Sequence, residues 1–130
     1  MVIDTSALIA ILLQEAGADR LVAVVEADRT RLVSAATVVE AALVILGRYG
    51  EAGEPQLDQL LRGLGAEVVP VGEEQVVLAR DAALRFGRGR HAAALNFGDC
   101  FSYALSVARG EPLLFTGKDF AKTDVEVCRW

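Results

Sequence analysis

The chain has 130 residues, the length of one domain, and with 53% hydrophobic and 24% charged residues it is too apolar for a disordered or low-complexity segment. A net charge of −5 argues against a broad nucleic-acid-coating surface, because binding of that kind rests on many Lys and Arg contacts to phosphate. The longest early apolar run, "ALIAILL", falls far short of the roughly 20 residues that span a bilayer, and no basic segment precedes it. The expectation is a cytoplasmic protein without membrane association, its two cysteines, Cys100 and Cys128, reduced.

In chain order, "MVID" reads as a short β-branched strand, and "TSALIAILLQ" opens with hydroxyl residues suited to capping a helix. "GADRLVAVVEAD" has apolar residues at helical spacing and leads to a second strand, "TRLVSA". "ATVVEAALVILGRYG" is too long for a strand and reads as a helix stopped near Gly50. "EPQLDQLLRGLG", with proline near its start, predicts another helix, followed by the strand "AEVVPV". "EEQVVLARDAALRFG" is a helix with acids in its first turn, where the dipole favours them, and "GRGRH" is a loop. "FGDCFSYALSVARG" reads as a helix, "EPLLFTG" as a strand, and "KDFAKTDVEVCRW" as a short turn and a last strand. Strands alternating with helices imply one α/β domain over residues 1–130, with a parallel sheet between helices. Ligands of such sheets lie at the carboxyl ends of the strands, which selects Asp4 and the residues after "LLFT".

Asp4 is the residue that demands an explanation. A carboxylate at the end of an apolar strand costs several kcal/mol unless something compensates. Glu40 shares the oddity, since its helical neighbours Ala36, Thr37, Leu43 and Val44 are mostly apolar. Asp99 begins an apolar helix, and Asp119 follows "LLFT" by way of "GK". Taken singly, each has an ordinary reading. Asp99 can cap its helix, Asp119 can sit in a turn, and Glu40 can snorkel to water or pair with an arginine. Taken together, they fall where a parallel sheet gathers residues at one edge, and clustered carboxylates repel unless a cation joins them. Oxygen ligands favour Mg²⁺ or Mn²⁺, while one histidine and two distant cysteines supply no zinc set. Such a metal suits phosphodiester hydrolysis. Thr5, Ser6 and Thr116 add hydroxyls nearby, with helix capping the ordinary role for Thr5.

"VIDTSALIAIL", "SAATVVEAALVI" and "GDCFSYALSVARGEPLLFTGKDFAKTDV", in that order and spacing, resemble the PIN-domain ribonucleases, specifically the VapC toxins of type II toxin-antitoxin pairs. The resemblance implies a PIN-like three-layer α/β/α fold with a central parallel sheet. It also implies a Mg²⁺- or Mn²⁺-dependent endoribonuclease that leaves 5′-phosphate and 3′-hydroxyl ends. Asp4, Glu40 and Asp99 match the family's acidic positions, and Asp119 matches a fourth that varies more among members. Asp4 and Asp99 are expected to ligate the metal, with Glu40 and Asp119 holding its waters or a second ion. Asp124 is an alternate acid or a structural residue. A homodimer and a cognate VapB-type antitoxin are the implied partners, with RNA as substrate.

Arg85, Arg88 and Arg90, in "RFGRGRH", are candidate phosphate contacts, alongside Ser6 and Thr116; a solvated helix end is the alternative for the arginines. A phosphatase-like or receiver-like domain would need a second acid beside Asp4, where Thr5 and Ser6 stand. A degraded, non-catalytic module would lack at least one acid, and none is missing. The apolar surplus of "ALIAILL" and "LVAVV" reads as deep core or as a surface for a second copy or the antitoxin, and the resemblance favours the surface.

Overall fold

The computed structural model describes residues 1–130. Four short strands, β1 (Val2–Ile3), β2 (Leu32–Ser34), β3 (Glu67–Val69) and β4 (Leu113–Leu114), form one parallel sheet in the order β3-β2-β1-β4. The helices are α1 (Thr5–Leu12), α2 (Ala18–Ala27), α3 (Ala35–Tyr49), α4 (Glu54–Gly63), α5 (Glu73–Phe86) and α6 (Phe97–Arg109).

The layering follows from the two-residue period of a strand, which sends successive side chains to opposite faces. Ile3, Val33 and Leu114 enter one core with Leu8, Leu21, Val25, Ile45 and Leu57 from α1 to α4. Val2, Leu32, Leu113 and Val69 enter the other with Ala82, Phe86, Tyr103 and Leu105 from α5 and α6. Strands buried on both faces must be apolar throughout, and β1, β2 and β4 are nearly so. The result is the expected α/β/α sandwich. Where α3 meets α6, the buried Thr37 and Ser102 hydroxyls satisfy each other at 3.1 Å.

Two expectations are corrected. The tail after Thr116 forms no full strand: a 3-10 turn at Phe120–Lys122 precedes a single parallel bridge between Leu113 and Val127. Its polar groups explain why. Thr123 Oγ1 donates to the Phe120 carbonyl (2.7 Å), while Asp124 accepts from the Tyr103 hydroxyl (2.7 Å) and from Arg85, so the chain is bent until Val125. The apolar surplus of "ALIAILL" is core, for Ala7 to Ile11 are all buried, as are Leu21 and Val25. Large apolar side chains stand exposed instead on α3 (Val39, Leu43, Leu46), on α5 (Val76, Val77, Leu84) and at Phe97. Cys100 and Cys128 are free, and no helix is long and apolar enough to cross a membrane.

Asp28, which closes α2, ties the start of β1 to the loop before β2. Its carboxylate accepts from Thr30 N (2.9 Å) and from the Met1 amine (3.0 Å). The Thr30 N–H chiefly, with the amine, holds this carboxyl below its ordinary value. Its contribution to stability is therefore fully present above the unfolded value, about 4, and is lost as pH falls through the folded one. Urea unfolding across pH should find Asp28→Asn less stable than the parent at pH 7, with the gap closing below about pH 4. A gap that stays constant down to pH 3 would remove this carboxylate from the account.

Candidate active site

The chain leaves β1 towards β2 on one side and returns through β4 on the other, so the sheet reverses its winding between β1 and β4. A crevice opens at the carboxyl ends of strands at such a point. Asp4 stands there, immediately after β1 and 2% exposed, with its backbone N–H bound to the Leu114 carbonyl (2.9 Å). As the residue capping α1, it accepts from Ser6 N (2.9 Å) and Ser6 Oγ (2.6 Å), both on Oδ2. Ser6 Oγ in turn accepts from Thr116 N (3.0 Å), which fixes the loop after β4 to the start of α1. Asp4 Oδ1 is buried and has no partner.

Glu40 projects from α3 and accepts from the Thr5 hydroxyl, so Thr5 positions an acid. The Glu40 carboxylate lies against Gly98 in the first turn of α6. A Cβ at that position would come within 2.0 Å of Glu40 Oε2, so glycine leaves the room that this carboxylate occupies. Asp99 both caps its helix and lines the cleft. Its Oδ2 accepts from Asn96 N (2.7 Å) while Asn96 Oδ1 accepts from Asp99 N (2.9 Å), a complete capping box. Burial pushes the Asp99 carboxyl up to about 6 against the opposing pull of the Asn96 N–H, and the charges of Asp4, Glu40 and Asp119 add to the rise.

Asp4, Thr5, Ser6, Glu40, Asp99 and Thr116 thus line one cleft of about 290 Å³, together with Ile9, Glu15, Val44 and Asn96. Asp119 is outside this lining; it is exposed, 3.9 Å from Lys122 Nζ, and reaches the cleft through its charge on Asp99. Asp124 is also outside the lining, held by Tyr103 and Arg85. Arg85 is engaged by Asp81 (3.2 Å), by Asp124 and by the Phe86 ring, away from the acids. Arg88 lines a separate apolar groove of about 520 Å³ between α5 and α6, with Arg80, Phe97 and Phe101. Arg90 is exposed on the loop, and Asn96 belongs to the walls of both groove and cleft.

Sequence reasoning missed Asn96 and Glu15. Asn96 was detectable, because an Asn three residues before Asp99 at a helix start is a capping box. Glu15 carried no such mark.

The donors of the cleft are all oxygens, the charges accumulate on a half-buried Asp99, and Asp4 Oδ1 is an orphaned buried acceptor. Those features suit a hard divalent cation. No three His, Cys, Asp or Glu side chains close into a ready-made ligand set.

Residues 1–126 match the family described as PIN domain. Ribonuclease VapC30 of Mycobacterium tuberculosis is 51% identical over 125 residues, covering 96% of this chain and 95% of the relative. Ribonuclease VapC of Mycolicibacterium smegmatis is 50% identical over 125 residues, covering 96% and 97%. Among solved structures, the sarcin-ricin loop cleaving toxin VapC20 of M. tuberculosis superposes with a TM-score of 0.76 at 18% identity, covering 98% of each chain. A toxin-antitoxin complex from Klebsiella pneumoniae gives a TM-score of 0.72 at 17% identity, covering 98% of this chain and 95% of that one. The two structures are alike in fold, and the relatives near 50% identity carry the assignment. The chain belongs to the PIN-domain family, among its VapC ribonuclease toxins.

Proposed function

We propose that this ribonuclease is a Mg²⁺- or Mn²⁺-dependent endoribonuclease that hydrolyses RNA phosphodiester bonds and is held inactive by a VapB-type antitoxin. The observation that carries the metal is Asp4 Oδ1, a buried carboxylate oxygen without a partner in a cleft of acids. Asp4 and Asp99 are the residues that would hold the ion directly; Glu40 would hold water beside it, and Asp119 would act from the rim. When bound, the ion activates water and stabilises charge on the phosphoryl oxygens.

The chain's own residues do the orienting. Ser6 occupies Asp4 Oδ2 and leaves Oδ1 for the cleft. Thr5 fixes the Glu40 carboxylate, and the Asn96 N–H fixes one oxygen of Asp99, so the acids are set before substrate arrives. Of the two hydroxyls lining the cleft beside the acids, that of Ser6 is spent on Asp4, and that of Thr116 would meet the substrate backbone.

An RNA strand leaving the cleft past Asn96 would meet Arg88 in the neighbouring groove and Arg90 on the loop. Arg85 is the weakest of the three as a phosphate contact, since Asp124 and Asp81 already occupy it. The exposed apolar residues Val39, Leu43 and Leu46 stand on the helix that carries Glu40, a position suited to an antitoxin segment reaching the acids. Val77 and Leu84, seven residues apart on α5, offer a second exposed apolar face, which supports a homodimer. One domain accounts for residues 1–130, since both cores share a single sheet. A cytoplasmic location accords with an RNA substrate.

Purified protein incubated with a cellular RNA pool should cut with Mg²⁺ or Mn²⁺, stay silent in EDTA, and lose at least about 100-fold in rate in Asp4→Asn. Cleavage that persists in EDTA or in the variant would reject the metal reading. The Arg88→Ala, Arg90→Ala double variant should flatten the slope of log affinity for single-stranded RNA against log salt by about 1.4, at roughly 0.7 per lost phosphate contact. An unchanged slope would leave both arginines as solvated surface.

A further inference from the structure

We propose that Glu15 is an additional carboxylate of the cleft that holds the hydration shell of a divalent cation; this rests on the metal reading above. α1 ends at Leu12, and the two residues that follow its cap form a closed turn. Gln14 lies at φ +52° and its N–H donates to the Ile11 carbonyl (3.1 Å), while Glu15 N–H donates to the Ala10 carbonyl (2.9 Å). These paired bonds define a Schellman ending, in which the residue now occupied by Glu15 commonly folds back against the last turns of the helix as an apolar contact. Glutamate stands there instead. It lines the cleft with Ile9 of α1, alongside Asp4, Glu40 and Asp99.

The turn is fixed from both sides. The Glu15 carbonyl accepts from Ala18 N (2.9 Å), and Gly17, at φ +93°, lies so close to Trp130 that a Cβ there would come within 2.9 Å of the ring. Trp130 is itself anchored by its indole N–H on the Phe115 carbonyl (2.8 Å), at the end of β4. Arg20, the nearest cation in sequence, is turned onto the Trp130 ring, 5.6 Å from its centroid, and forms no ion pair with Glu15. The exposed Glu15 carboxylate has no hydrogen-bonded partner in the protein, and Asp4, 2% exposed and lining the same cleft, has an orphaned Oδ1. As a carboxylate lining that cleft, Glu15 would accept from the waters of a divalent cation held there by Asp4.

The test is Mn²⁺ binding by calorimetry to the intact, RNA-free protein, comparing the parent with Glu15→Gln, Asp4→Asn and Asp58→Asn. Asp58 is an exposed acid on α4, outside the cleft, and controls for net charge. Glu15→Gln is expected to weaken Mn²⁺ about 10-fold, the size of effect that outer-shell partners have, with the melting temperature of the metal-free protein unchanged and Asp58→Asn like the parent. Parent-like affinity in Glu15→Gln, with binding lost in Asp4→Asn, would overturn the role of Glu15 and leave the metal reading standing. Equal weakening in Glu15→Gln and Asp58→Asn would reduce the effect to bulk charge and overturn it as well. Failure of the parent to bind Mn²⁺ would overturn both.

Discussion

The structure turns on a carboxylate that is buried and only half satisfied. Removing Asp4 from water costs several kcal/mol, and two hydrogen bonds to a charged acceptor return about 1.5–3 kcal/mol each. Both of those bonds come from Ser6 and both go to one oxygen. The other oxygen has no partner in the protein, so the same geometry that stabilises the start of α1 leaves half of this carboxylate unsatisfied.

The fold brings further acids to the walls of the same cleft. A parallel sheet places the ends of β1 and β4 side by side, and the Ser6–Thr116 bond locks them together. α3 crosses close enough for Thr5 to hold Glu40, and Gly98 clears the space that the Glu40 carboxylate occupies. Asn96 then brings Asp99 into the wall as part of a helix cap. The hydrogen bonds that cap α1 and α6 thus also set Asp4 and Asp99 in the cleft wall, which explains why both residues have a structural and a chemical reading.

Most of the architecture was legible in the chain because it rests on periodicity. The apolar strands "MVI", "LV" and "LL", each followed by a helical pattern, are sufficient for a parallel sheet sheathed on both faces. Asp4, Glu40 and Asp99 stood out as acids in apolar company, and they meet in one cleft. What periodicity does not carry was harder to read. The tail resembles a strand in composition, yet Tyr103 and Arg85 bend it by binding Asp124, a contact between residues far apart in sequence. The acid wall supplied by Glu15 depends on a left-handed Gln14, a residue type that ordinarily gives no signal for that conformation. Arg85 illustrates the converse: its sequence setting is that of an exposed arginine, and its partners are fixed by tertiary structure.

The most direct test of this account is a crystal soaked in Mn²⁺, with the ion located by its anomalous scattering. The account predicts a peak in the cleft at direct bonding distance from Asp4 Oδ1, with Asp99 on its other side. A crystal in which Mn²⁺ at saturating concentration binds only outside the cleft, or in which Asp4 Oδ1 is instead satisfied by a protein donor, would contradict it.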